Sequence, residues 1–199
     1  MKLWLALPQL YELSQHVVTR SNCWKIFTER YLQPARGGRL LDLGCGTGII
    51  LDFLPALEYW GLDENSWYIH YAQKKKKNDA NFLCTDLNKK PWPVEGHFDR
   101  VMATGLLHHL SDQEAVDLMK NVRAVLKPHG KFVTFDGFFE NGQSPIARWL
   151  LSHDRGEHVR SKEGYEFLAR SIFKRVDLHI ERRLLRLPYS HLIMEMASD

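Results

Sequence analysis

The chain has 199 residues, a formal net charge of +3, and 44% hydrophobic and 26% charged residues; this fits one globular domain and excludes a disordered or strongly polybasic protein. Cys23, Cys45 and Cys84 are odd in number and far apart, without CxxC or Cys/His ligand spacing, so neither a disulfide framework nor a metal site is expected and a reducing cytoplasm is. The apolar run before Pro8 is too short for a secretory core, and no later run reaches the length of a membrane span.

Residues 1–33 open the chain with two amphipathic patterns, Leu10, Leu13 and Val17, then Trp24, Phe27 and Tyr31. Apolar runs of strand length then alternate with helical patterns. RLLDLG is followed by IILDFL, EYWGLD by a polar helix through Lys77, ANFLCTD by a Pro-interrupted loop carrying Trp92, and FDRVMATG by a long helix, with GKFVTFDG next. Such alternation means βαβ units and a parallel sheet. In the long helix, Ser111 and Glu114 make a capping box, Ala115, Leu118, Met119, Val122 and Leu126 form an apolar stripe, and Pro128 and Gly130 stop it. KKKK at 74–77 complements a helix dipole as a solvated run, and Trp92 either covers a ligand or anchors its loop. Residues 138–174 are too long for a simple crossover; Ser144-Pro145 and Ser161 open two helices around SHDRGEHVR. Two final runs, RVDLHIERRLL and SHLIMEM, are close enough to pair as a hairpin.

The turn in LLDLGCGTGII, residues 40–50, carries glycines at 44, 46 and 48. A phosphate-binding loop would need Gly-Lys-Ser/Thr at the helix start, and the dinucleotide fingerprint would need glycine where Ile49 stands. What remains is a strand ending at Asp42 and a tight turn whose missing Cβ atoms let an adenosyl ligand lie on bare backbone at a helix N-terminus. Asp63 ends the second strand, where an acid can take ribose hydroxyls, and Asp86 ends the third, nearer an adenine edge.

In these residues the sequence resembles the class I S-adenosylmethionine-dependent methyltransferases of small-molecule type. Asp42, Gly44, Gly46 and Gly48 match that family's first motif, and Asp63 and Asp86 its ribose-side and adenine-side acids. FDRVMATGLLHHL matches its fourth-strand motif and LKPHGKFVTFD its turn into strand five, with His129 where glycine is frequent. The match covers residues 37–136. The resemblance implies an α/β, Rossmann-like, doubly wound seven-stranded sheet of order 3-2-1-4-5-7-6, mostly parallel with one antiparallel strand and helices on both faces. From length, a single domain is expected over 1–199, and the two segments outside the βαβ scheme are expected to act on the site, the 1–33 helices lidding the cofactor and the 138–174 insertion shaping the acceptor side.

S-adenosylmethionine, leaving as S-adenosylhomocysteine, is then expected on Asp42, Gly44, Cys45, Gly46, Gly48, Asp63, Glu64, Asp86, Leu87 and Thr104. Methyl transfer from a sulfonium is an in-line displacement that needs a base only where the acceptor keeps its proton. Thr104, His108, His109, Asp136 and Phe138 should face that point. The resemblance to hydroxyl methylators implies His109 as the base, with His108 second and supporting the turn. His153, Arg155, His158 and Arg160 either form a solvated loop or clamp a polar or anionic small acceptor, with Tyr189 beside them. A metal is not expected, since Gly105 stands where some metal-assisted relatives carry a carboxylate. A tRNA- or RNA-modifying enzyme is the alternative, set against the missing Asn/Asp-Pro-Pro-Tyr motif and basic stripe, so nucleic acid is not the expected partner. A non-catalytic adenosyl-ligand-binding protein is the second alternative, and the oligomeric state stays open.

Overall fold

A computed structural model describes residues 8–9, 12, 19–20, 22–75, 80–89, 92, 97–152, 157–182, 184–186 and 190–197. Seven strands form one sheet: β1 (Arg39–Leu43), β2 (Glu58–Asp63), β3 (Asn81–Cys84), β4 (Phe98–Thr104), β5 (Leu126–Gly137), β6 (Arg175–Glu181) and β7 (His191–Ala197). Their order is β3-β2-β1-β4-β5-β7-β6, and β7 alone runs antiparallel to its neighbours β5 and β6. The expected sheet order is therefore observed, and the two last apolar runs do pair as a hairpin.

The strands are apolar on both faces because both are covered. Alternation along each strand divides the core in two. Leu41, Leu43, Val101, Ala103 and Phe132 face α3 (Asp112–Val125) and α5 (Lys162–Arg170), where Leu118, Met119, Val122, Tyr165 and Leu168 close on them. Leu40, Tyr59, Met102, Val133 and Ile193 face α1 (Cys23–Ile26), its continuation Phe27–Leu32, and α2 (Ser66–Lys75). That continuation is a π-helical turn burying Phe27, Tyr31 and Leu32, and it stops at Gln33 in the left-handed region at φ 45°.

α3 starts with both halves of its capping box in place: Ser111 accepts from the Glu114 amide, and the Ser111 amide donates to Glu114 Oε2 at 2.8 Å. Two local expectations change. IILDFL forms a short 3-10 helix, Ile49–Phe53, too short for an amphipathic α-helix, and Leu126 belongs to β5 because α3 ends at Val125. His129 lies at φ 61°, the left-handed conformation that explains why glycine is frequent there. α4 (Pro145–Ser152) starts where Ser144 and Pro145 place it, Ser144 Oγ accepting from the Ala147 amide. Leu10, Leu13 and Val17 lie outside the described residues, as do residues 76–79 of the lysine run; Lys74 and Lys75 close α2.

Candidate active site

Where strand order reverses between β1 and β4, an open α/β sheet leaves a crevice beyond its strand ends. The glycine turn lies there, fastened to β2. The Gly44 and Cys45 amides both donate to the Leu62 carbonyl, at 2.8 and 3.1 Å, and the Gly46 amide donates to Asp63 Oδ2 at 2.8 Å. Gly44, Gly46 and Gly48 are all left-handed, at φ 72°, 55° and 69°. A Cβ on Gly48 would also stand 2.8 Å from the Phe82 ring, so this turn admits no side chain there.

Asp42 is buried beneath the turn. Tyr59 donates its hydroxyl to Oδ2 at 2.5 Å, while Oδ1 has no hydrogen-bond partner among the described residues. Burial pushes its carboxyl to about 7, with the Tyr59 bond drawing it down and the charge of Asp63 pushing it up. Thr47 Oγ1 is likewise buried and without a partner among the described residues. Asp63 is buried, its Oδ1 accepting from the Asn65 amide at 2.8 Å, and burial outweighs those amide bonds to raise its pKa. Cys45 is buried against Gly61, where a Cβ would meet its sulfur at 2.8 Å; Glu64 is exposed. Asp86 is half-buried and caps the Asn88 amide at 2.9 Å, next to buried Leu87. Trp92 donates its indole N–H to the Leu87 carbonyl at 3.1 Å from within the core, so it anchors this loop.

The other wall is the 3-10 turn Leu107–His109 after β4, facing the end of β5. Thr104 is half-buried beside Phe135, and the Gly105 amide donates to the Phe135 carbonyl at 2.7 Å. His108 is buried, with Nδ1 2.9 Å from Asp136 Oδ1, and its amide donates to the same oxygen at 3.3 Å. His109 is exposed, its ring centroid 4.2 Å from that of His108. Phe138 is buried in the core.

The insertion returns to this turn. The His158 amide donates to the His108 carbonyl at 2.9 Å. Arg160 spends its guanidinium on the carbonyls of Leu107, Leu110 and His158 and on Asp112, with the side chain only 9% exposed. Arg160 is therefore a brace for the histidine turn, its planar donors bonded to protein oxygens. His153, Arg155 and Tyr189 lie outside the described residues.

Residues 40–130 match the family model described as a methyltransferase domain. Residues 40–130 are thus similar to a methyltransferase domain, and the sheet has the strand order of the class I methyltransferase fold. The fold of human N-acetylserotonin methyltransferase, solved in complex with SAM, superposes with a TM-score of 0.70 over 96% of this chain and 55% of that one, at 18% identity. Among curated relatives, the human "Probable tRNA methyltransferase 9B" is 30% identical over 108 residues, covering 53% of this chain and 23% of the relative. "O-methyltransferase rstn1" of Aspergillus nomiae is 28% identical over 119 residues, covering 56% and 52%. The chain thus spans between a quarter and about half of the length of these relatives.

Among the described residues, sequence reasoning missed Tyr59 as the partner of Asp42, Gly61 as the space for Cys45, and His191. The last is buried on β7, stacked on Phe135 at 4.5 Å, and burial together with the charge of His108 holds its pKa down to about 3. A polar residue at the start of a mostly apolar strand run, as in SHLIMEM, was the available signal. Among the described residues no cluster of three or more His, Cys, Asp or Glu side chains could hold a metal ion, and no helix is long and apolar enough to cross a membrane.

Proposed function

We propose that this protein transfers the methyl group of S-adenosylmethionine to a hydroxyl of a small polar or anionic acceptor, such as a metabolite or glycan precursor. The residues suit the donor. The left-handed glycine turn offers bare backbone, and the orphaned Asp42 Oδ1 and Thr47 Oγ1 are polar atoms without partners among the described residues. Gly44 to Gly48 would hold the amino acid end, Asp63 the ribose, and Asp86 with Leu87 the adenine. Glu64, next to Asp63, and Thr104, at the end of β4, would border it. When bound, the sulfonium supplies an electrophilic methyl carbon. The chain's own task is to place the acceptor oxygen in line, keep water out and receive a proton.

The observation that carries the hydroxyl reading is the buried His108–Asp136 pair at the ends of β4 and β5. A thiolate or a free amine needs no base, whereas a hydroxyl does, and a positioned histidine contributes about 10² to 10⁴ in rate. His158, tied to the same turn, would line the acceptor side. A tRNA acceptor is the second reading, favoured by the name of the human relative. Incubation with methyl-tritiated S-adenosylmethionine, against a metabolite extract and against total tRNA, tests both. Label should enter the small-molecule fraction; label confined to tRNA would overturn the hydroxyl-metabolite reading.

A further inference from the structure

Asp42, Tyr59, Asp63 and Cys45 are buried together beneath the glycine turn, and no cation accompanies them. Asp42 is 2% exposed; the Tyr59 hydroxyl donates to its Oδ2 at 2.5 Å, and Oδ1 is buried without a hydrogen-bond partner among the described residues. Tyr59 and Asp63 act on Asp42 from β2 and Cys45 from the turn, while its partners across the sheet, Gly61 on β2 and Met102 on β4, carry no charge. Among the described residues the charges acting on this group are its own acids, with no lysine, arginine or histidine to offset them.

We infer that Tyr59 is a positioning residue for the donor site: its hydroxyl fixes the Asp42 carboxyl, and loading the turn with an ammonium-bearing ligand drives the proton off that carboxyl. The inference rests on the methyltransferase reading, which puts the amino acid end of the adenosyl ligand on Gly44 to Gly48. In the empty turn an Asp42 carboxylate would have one hydrogen bond, a second acid nearby and no cation, and removing it from water on those terms favours the neutral form. Burial accordingly pushes Asp42 to about 7, against the pull of the Tyr59 bond. With Oδ2 accepting from Tyr59, Oδ1 is the oxygen left to carry the proton.

An ammonium at the turn brings the positive charge that the chain itself does not supply, and charges act over several ångströms in such a dry interior without direct contact. The loaded state therefore favours the carboxylate: the buried O–H bond breaks, its electron pair stays on Oδ1 and the proton passes to solvent. Tyr59 sets where on the pH scale this occurs. Its hydroxyl donates to the ionised form and so holds Asp42 near neutrality, where a ligand can tip it, when burial alone would keep it an acid.

Isothermal titration of S-adenosylhomocysteine into the full chain, repeated in two buffers of different ionisation enthalpy, counts the protons released on binding. This probe keeps the ammonium and does not turn over. Wild-type protein should release protons below about pH 7 and progressively fewer above it, with affinity falling by up to about tenfold per pH unit below that point. Asp42→Asn should lose the release. Tyr59→Phe keeps the ring beside Phe82 and removes only the hydroxyl, so its release should extend about one pH unit higher. A merely structural tyrosine would change the melting temperature and leave the proton count where it was, and that result would sink the role of Tyr59. Wild-type protein that binds with no proton released at about pH 6 would overturn the inference even if both variants failed to fold. Undiminished release in Asp42→Asn would also overturn it, by placing the proton on another group. Failure of wild-type protein to bind S-adenosylhomocysteine at any pH would instead overturn the methyltransferase reading underneath, whereas binding without proton release contradicts the inference alone.

Discussion

Asp42 shows what burying a carboxyl beneath the glycine turn costs the fold. Its carboxyl is shifted from the ordinary 3.8 to about 7, chiefly by burial, so between those values the native state holds a proton that the unfolded chain has released. This group therefore makes stability fall as pH rises from about 4 to about 7, with no further loss above that range. Asp42→Asn should flatten the slope of melting temperature against pH in that window, leaving the contribution of Asp63, which is shifted the same way. A slope unchanged from wild type would count against a buried, orphaned carboxylate. His129 offers a second residue-level test. It occupies a left-handed position that costs a side-chain-bearing residue about 1 to 2 kcal/mol, partly offset by the greater freedom of glycine in the unfolded chain. His129→Gly should raise stability by up to about 1 kcal/mol in denaturant titration.

The helix α3, the turn before it and the loop 157–161 form the element that carries His108. Ser111→Ala removes the cap and should cost about 0.5 to 2 kcal/mol in denaturant unfolding. Arg160 is the other support. Because it bonds three carbonyls and Asp112 at once, Arg160→Lys should lower the melting temperature nearly as far as Arg160→Ala, since an ammonium cannot reproduce the planar fork. Full rescue by lysine would return Arg160 to a simple charge role. The contrast between these two residues explains what was legible in the sequence. Ser111 and Glu114 lie three residues apart, and the apolar stripe behind them repeats on one helical face, so cap and helix could be read locally. Arg160 meets Leu107 and Leu110 across about 50 positions, and nothing near SHDRGEHVR distinguishes a brace from a clamp. His108 and Asp136 are likewise 28 positions apart and meet only because β4 and β5 pair in parallel.

In the whole molecule, the sheet order follows from alternating strands and helices and from apolar runs buried on both faces, all of which the sequence carries. The residues expected to hold the cofactor follow the same pattern: Asp42 and Asp63 lie within the last two residues of β1 and β2, and the three glycines in the turn after β1. The insertion between β5 and β6 makes contacts that no periodicity encodes. The central claim is that the β1 turn and the end of β2 form one adenosyl site, with Asp63 as its ribose acceptor and as the clasp of the Gly46 amide. Isothermal titration of S-adenosylhomocysteine into wild-type and Asp63→Ala protein tests it most directly. The account predicts one site in the wild type, and in the variant a loss of about 1.5 to 3 kcal/mol, roughly ten- to a hundredfold or more in affinity. Equal affinity in the two proteins, or a wild type that binds NAD and not the adenosyl ligand, would contradict it.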